Sequence, residues 1–546
     1  MLFDLNDGPR TRLAGDVAIV GAGAAGLTLA RRLVKRGLSV VLLESGGLDY
    51  EPETAALNRG DVIGHEYPEL EDARLRFFGG TTAIWGGRCA ELDPIDFAPR
   101  SWVPHSGWPI DHATLAAYYR EAREHLGLPD WHEPSPPLDF DGAELRFRSW
   151  QFDQRFDRFS AANSRDLLDN PRVTLVTHAT VRELILSPSR QAIEAIDAVS
   201  LRGGRLKVHA THFVLAAGGI ETPRIMLASR SVDRRGIGND RDLVGRFFME
   251  HPHARGGRIL DARAWPLLGA FRRRHARDRS MFAHLIAASP ALQEREGLLN
   301  SSLTIAARPP AHGRQSVVMQ AYASAKHKSN PDRRGRVLWR ALKQTTRTMQ
   351  SAVDPARPWL MNRLGLRDLA IVVRAEQAPN PDSRVVLGED RDALGIPRVQ
   401  LDWKLSELDV TSVAGLVGAL RRELERKGLG RVEPADWLRD PSQGWVNDSL
   451  VSMHPIGGYH HMGTTRMATD RSAGVVDADC KVHGIANLHI AGSSVFPTGG
   501  WANPTLTIMA LALRLGDRIA ALSATDKTLG PARETRKERQ FETQDG

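Results

Sequence analysis

Residues 459–467 read YHHMGTTRM, which sets His460 beside His461 ahead of Gly463 and Thr464. A histidine, with an unperturbed pKa of about 6.5, takes up and releases a proton near neutrality and suits general-base work. A second polar group follows in WANPT, where Asn503 precedes Pro504 and Thr505. An amide there can donate a hydrogen bond to an oxygen that gains negative charge. Asn-Pro-Thr ahead of LTIMALALRL also has the pattern of a helix N-cap with proline in the first turn. The two uses do not exclude each other. The pair plus His454 opens a metal site as a rival reading, but no carboxylate or cysteine stands at suitable spacing, so no metal is expected. Taken alone, the pair does not say which histidine acts.

Such groups need a frame, and the start of the chain supplies one. Residues 16–20, DVAIV, read as a buried strand. GAGAAG follows, with Gly21, Gly23 and Gly26 in the G-x-G-x-x-G spacing and Ala24 and Ala25 between them. LTLARRLVKRG then reads as a helix ending at Gly37, and SVVLLE as a second strand ending in Glu44. In this β-α-β unit the glycines let the backbone approach a pyrophosphate at the helix N-terminus, and Glu44 is placed to accept from ribose hydroxyls. An acid there disfavours a 2′-phosphate; it does not separate NAD from FAD.

Further segments favour the longer ligand. FFGGTTAIWGGR (77–88) is glycine-rich and interrupted by Trp85. HFVLAAGGIETPRIML (212–227) reads as strand, turn and a helix beginning near Thr222 and Pro223. Near the C-terminus, residues 488–491 read as a strand, followed by a loop and an apolar helix. Glycine-rich contacts spread along the chain suit FAD better than NAD.

These segments together resemble the glucose–methanol–choline (GMC) oxidoreductases, FAD-dependent oxidases and dehydrogenases of alcohols and sugars. GAGAAG with Glu44-Ser45-Gly46-Gly47, FGGTTAIWGG, AAGGIETPRIML, YHHMGTTRM and AGSSVFPTGGWANPTLTIMALA occur in the family's order from residue 16 to about 522. The resemblance implies an α/β fold: a non-contiguous, doubly wound, Rossmann-like FAD domain and an inserted α+β substrate domain with an antiparallel sheet. The expected division is 12–98, 166–251 and 451–523 for FAD, 99–165 as a helical and loop excursion, and 252–450 for substrate. QSVVMQAYASA, AIVVRAEQ, RVVL and PRVQLDWKL supply strand-like segments of the last. Residues 524–546 are polar and charged and are expected to be a disordered tail.

The resemblance also implies roles. FAD contacts are expected from Gly21, Gly23, Ala24, Ala25, Gly26, Glu44, Ser45, Gly79, Gly80, Thr81, Thr82, Trp85, Gly86, Gly87, Val181, Ala217, Gly218, Gly492, Ser493, Asn503, Pro504 and Thr505. The family's base lies three residues before the Gly-Thr pair, which is His460; its partner, His or Asn, matches Asn503, the pairing of pyranose-oxidising members. His461 and Trp501 are candidate substrate contacts. Some members attach FAD to a His directly before the Trp of the glycine-rich stretch; here that place is Ile84, so non-covalent FAD is expected. The implied reaction oxidises a CH–OH group of a sugar, glycoside or polyol, electrons leaving to oxygen, a quinone or a redox protein. A non-sugar alcohol oxidase, a hydroxynitrile-lyase type with structural FAD, and an electron-relay subunit are the alternatives.

Composition bounds the rest. A chain of 546 residues exceeds one small domain. The formal charge of +8 is scattered and carries no nucleic-acid motif. Residues 326–350 concentrate Lys and Arg around Val337, Leu338, Trp339 and Leu342, so contact with an anionic membrane or an acidic redox partner is one reading and a solvated helix the other. Two cysteines, Cys89 and Cys480, exclude a disulfide scaffold and fit a reducing, cytoplasmic setting. No secretory signal and no transmembrane run is recognised.

Overall fold

The computed structural model describes the chain except residues 9–11, 156, 277, 279, 312–331, 452–458 and 542–546; side chains at 340, 343, 344, 346–352 and 526–541 are also left aside. QSVVMQAYASA lies outside the described residues.

Apolar residues 17–20 are buried, as an unbroken β-branched run in a covered sheet must be, and end the strand Arg12–Val20. The strand Val40–Leu43 pairs parallel beside it, with the helix Ala24–Lys35 between them in sequence. That helix buries Leu27, Leu29, Ala30 and Leu33. It stops where Gly37 takes a left-handed φ of 86°, and the Leu38 amide closes the end on Leu33 O at 3.1 Å.

The sheet runs Leu2–Asp4, Val173–Thr177, Val40–Leu43, Arg12–Val20, Arg205–Leu215, Ile193–Val199 and Thr180–Leu186. The first five strands are parallel, and Ile193–Val199 runs antiparallel to both its neighbours, Arg205–Leu215 and Thr180–Leu186. One edge of Arg205–Leu215 is shared: residues 205–208 take Ile193–Val199, and residues 213–215 take the late strand Leu488–Ile490. The glycine motif at the start of the chain and the strand near its end therefore lie in one sheet. Leu2–Asp4 extends that sheet upstream of residue 12.

A second sheet is antiparallel throughout, in the order Arg431–Pro434, His253–Leu260, Asp368–Arg374, Ser302–Arg308, Met281–Ala288, Leu145–Phe152, Arg88–Cys89. Leu303, Ile305, Ile371 and Val373 share a buried cluster with Val410, Val413, Leu416 and Val417 of the helix Glu407–Arg426. Alternation turns Ala306, Arg308, Val372 and Arg374 to the other face, where they line a cavity.

Several expectations are revised. Residues 99–165 are more than a helical excursion: His112–His125 is a helix, but Leu145–Phe152 is a strand of the antiparallel sheet. Its sequence, LRFRSWQF, alternates with period two, which is the strand signal. Arg384–Arg391 and Pro397–Asp402 stand apart from the antiparallel sheet: they pair with each other, and Pro397–Asp402 pairs with Gly60–Val62, in a separate three-stranded sheet. The last helix runs Thr505–Phe541, past residue 524, through a stretch rich in Lys, Arg, Glu and Ala that favours helix. It packs beside Ala24–Lys35, where Arg32 grips Asp517 at 2.5 and 2.8 Å and reaches Glu121 of the helix His112–His125 at 2.8 Å.

The second glycine turn opens its helix earlier than expected, at Gly218, leaving Pro223 inside Gly218–Ala228. Proline has no N–H to give to the carbonyl four residues back. That carbonyl, of Gly219, accepts the Thr464 hydroxyl instead, at 2.6 Å. The helix is thereby latched to the segment that carries the two histidines.

Candidate active site

The two sheets enclose a cavity of about 1500 Å³. Gly21, Gly23, Ala24 and Ala25 line one end, with Glu44, Ser45, Gly79, Gly80, Thr81, Thr82, Trp85, Gly86, Gly87, Val181, Ala217, Gly218, Gly492, Ser493, Asn503, Pro504 and Thr505. Gly26 stands apart: it faces the turn, and a Cβ there would meet Gly21 O at 1.9 Å. Its absence of a side chain lets helix and turn close. The helices at Ala24 and Gly218 start without a side-chain cap, so their amides remain available to a phosphate. Glu44 is held by the Ala22 amide at 3.0 Å and the Gly46 amide at 2.9 Å. Burial raises its pKa against those bonds and Arg76. A pyrophosphate cradle, a fixed ribose acceptor and this length of cavity fit FAD.

The histidine segment is placed from two sides. Met249 and Met462 exchange backbone bonds of 3.0 Å, which sets residues 250–251 beside 460–461. Gly463, at a φ of 86°, approaches Phe247 O so closely that a Cβ would lie 2.1 Å from it. No other residue type fits there, which explains the fixed distance from His460 to a glycine. Glu250 joins both segments: its Oε2 accepts the amides of His251 at 3.0 Å and His460 at 2.9 Å, and its Oε1 accepts the Tyr67 hydroxyl at 2.6 Å.

A row of hydrogen bonds fixes the state of His460. His251 Nε2–H donates to Gly500 O at 2.7 Å, so His251 Nδ1 carries the lone pair. That lone pair accepts Nδ1–H of His460 at 2.8 Å. The remaining nitrogen of His460, Nε2, is then an acceptor, and it meets the Asn503 amide at 3.1 Å. Burial first, then His251, His461 and Arg88, hold His460 well below the usual imidazole pKa.

His461 has a different setting. It lines the cavity, yet its Nε2 bonds the Tyr67 hydroxyl at 2.8 Å and its ring lies 5.8 Å from Phe248. Burial and Arg74 hold it at about 3. Burial pushes Glu250 up to about 7 despite its donors. Trp501, expected at the substrate, does not line the cavity: its indole N–H goes to Asp93 at 2.7 Å and its ring packs 6.2 Å from Trp150. Asn503 is not the cap the sequence pattern indicates, since the helix opens at Thr505 and the amide faces His460. His454 lies outside the described residues.

Sequence reasoning missed His251, Glu250 and Tyr67. The sole local hint was the acid-histidine pair in FFMEHP directly after the second glycine region. Arg88, at the end of the tryptophan-containing glycine stretch, carries no local signal of a role.

A parallel dinucleotide sheet, completed by a strand from the far end of the chain and opening on a histidine–asparagine pair, defines an FAD-dependent oxidoreductase. The family described as FAD dependent oxidoreductase matches residues 16–235, and the one described as GMC oxidoreductase matches residues 379–512. The two matches, over residues 16–235 and 379–512, are together consistent with a GMC oxidoreductase. It is similar to 6'''-hydroxyparomomycin C oxidase of Streptomyces lividus, at 26% identity over 94% of this chain and 92% of that one. It is also similar to 2-methyl-1,2-propanediol dehydrogenase of Mycolicibacterium austroafricanum, at 24% identity over 92% of this chain and 95% of that one. The crystal structure of pyridoxine 4-oxidase from Mesorbium loti shares the fold, with a TM-score of 0.52, 18% identity and coverage of 92% and 98%.

Proposed function

We propose that the protein oxidises a hydroxyl group of a sugar, glycoside or polyol to the carbonyl, with His460 as base and Asn503 as its partner. The observation that carries this is the ordered row Asn503–His460–His251–Gly500 O, which presents a lone pair at His460 Nε2 inside the cavity. A substrate hydroxyl placed between Nε2 and the Asn503 amide gives its proton to the first and accepts from the second. The carbon-bound hydrogen leaves with its electron pair, and bound FAD supplies the acceptor for that hydride. The depressed basicity of His460 keeps the imidazole unprotonated at neutral pH, ready for the next proton.

The cofactor is dissociable in this reading, because Ile84 offers no nucleophile at the attachment position. Acid precipitation is expected to leave the yellow chromophore in the supernatant. Oxygen, a quinone or a redox protein takes the electrons. Val337 and Leu338, exposed on the basic helix Arg333–Val353, support contact with a membrane surface or such a partner. Among the described residues no helix is long and apolar enough to cross a membrane. The two free cysteines, both buried, accord with cytoplasmic residence.

The test is anaerobic: sugars, glycosides, polyols and simple alcohols are screened for bleaching of the flavin. A bleaching sugar or polyol supports the reading. Turnover of a hydroxynitrile with the flavin left oxidised would replace it with the lyase.

A further inference from the structure

The end of the cavity away from the glycine motif is lined by guanidinium groups. Arg374 lies 5.1 Å and Arg88 5.3 Å from the centre of the Trp150 ring. Arg88 and Arg273 lie 5.7 and 4.5 Å from the Phe152 ring. Trp150 and Phe152 point the same way from the strand Leu145–Phe152, so cations and aromatic faces alternate along it. Arg308 projects from the strand Ser302–Arg308, which lies beside Asp368–Arg374, into the same space. Arg88 is close enough to His460 to lower its basicity, which puts this wall within electrostatic reach of the reacting centre.

Two of these arginines, Arg308 and Arg374, lack counter-charge among the described residues. Arg374 gives one bond to the Thr304 hydroxyl at 3.2 Å, and Arg308 gives one to Val451 O at 2.8 Å and one to Ala307 O at 3.2 Å. Among the described residues neither forms an ion pair. Outside the cofactor end, Asp354 is the one described lining carboxylate, and Arg357 and Arg272 already share its field. The segments 312–331 and 452–458 contain no Asp or Glu. Burial lowers both arginines, Arg374 to about 10, and mutual repulsion adds to it: Arg308 acts on Arg374, Arg367 on Arg308. Concentrating enclosed cations without carboxylates is costly unless an anion arrives to meet them.

We propose that Arg308 and Arg374 bind an anionic group, carboxylate or phosphate, carried by the hydroxyl substrate, so that the preferred substrates are acidic sugars or hydroxy acids. This rests on the oxidation reading for the choice of hydroxyl compounds, but the binding of the anion does not depend on it. A guanidinium pair suits the bidentate geometry of either anion. The Trp150 ring holds Arg374 in place, and the bonds to Val451 O and Ala307 O hold Arg308, while the site waits.

The FAD-loaded protein is titrated anaerobically with glucosamine, glucose, glucuronate and glucose 6-phosphate, one ring with four charge states. Perturbation of the flavin absorption reads binding, and bleaching reads oxidation. The anionic compounds are expected to perturb the spectrum at about tenfold lower concentration than glucose, or less, with glucosamine the weakest. The order of the two anions separates a carboxylate site from a phosphate site. Arg374→Gln and Arg308→Gln should each cut the preference for anion over glucose by about tenfold. Equal binding of glucose and the anions, no perturbation by either anion, or an unchanged preference in both variants overturns the inference. Anion binding without bleaching by any hydroxyl compound leaves it standing and removes the oxidation reading instead.

Discussion

The cavity has arginines at both ends, and the two ends treat them differently. At the cofactor end Glu221 holds Arg76 at 2.9 Å, Arg224 at 3.1 Å and Arg74 at 3.2 Å, and Asp392 takes Arg224 at 2.7 Å. Burial penalises Glu221, but its three cations outweigh that and hold the carboxyl far below its usual range. At the substrate end Arg308 and Arg374 have only hydroxyl and carbonyl partners. The first arrangement is closed and stabilises the fold. The second is left open, with its electrostatic partner to come from outside.

If that division holds, changes at the open end remove function and spare the fold, and changes at the closed end do the reverse. His460→Ala should keep FAD and lower the rate of flavin reduction by about a thousandfold, read by anaerobic stopped flow. Glu221→Gln should destabilise the protein by about 3 kcal/mol in chemical denaturation, because three buried cations lose their carboxylate. His251→Phe keeps the ring shape but removes the acceptor that fixes His460 Nδ1–H. Reduction should slow by about ten- to a hundredfold with FAD still bound, and the acid limb of its pH profile should shift; an unchanged limb would assign His251 to packing alone. His461→Ala should alter reduction by no more than about threefold, since its bond goes to Tyr67. The smallest effect is the most diagnostic: Arg374→Gln should raise the melting temperature of the ligand-free protein by about 1–2 °C, as relief of an uncompensated cation.

Two pH responses separate in the same way. His461 and His489 are both held at about 3 in the folded chain, against about 6.5 when unfolded. A depressed histidine contributes stability above the unfolded pKa, and that contribution is lost as pH falls from about 6.5 towards 3. The melting temperature should decline across that window. With His460 as the proposed base, flavin reduction would need it neutral, and because burial lowers its basicity the rate should stay level through neutral pH and fall only in acid.

The sequence disclosed the two halves unequally for a physical reason. The cofactor end is built from local patterns: glycine spacing, a helix start and a strand that ends in an acid, each readable within a few residues. Of the residues expected there, only Gly26 turned away from the cavity, and it did so to let two backbones meet. The histidine row is assembled from 251, 460, 500 and 503, which no local pattern joins. The arginine wall draws on four strands or turns, and the meaning of Arg308 and Arg374 lies in missing carboxylates, which a sequence does not display. Trp501 shows the same limit: an aromatic beside an active-site asparagine reads as a stacking face, yet the fold buries it against Trp150.

The latch between Thr464 and the carbonyl freed by Pro223 spans 245 residues of sequence. The strand Leu488–Ile490 and the start of the last helix also reach the cofactor end from the far part of the chain. During synthesis the glycine turn therefore emerges early but has no finished pocket until residues beyond 505 have left the ribosome. FAD can be captured with full affinity only once those residues are available, so a chain stalled before them is a poor competitor for the cell's flavin.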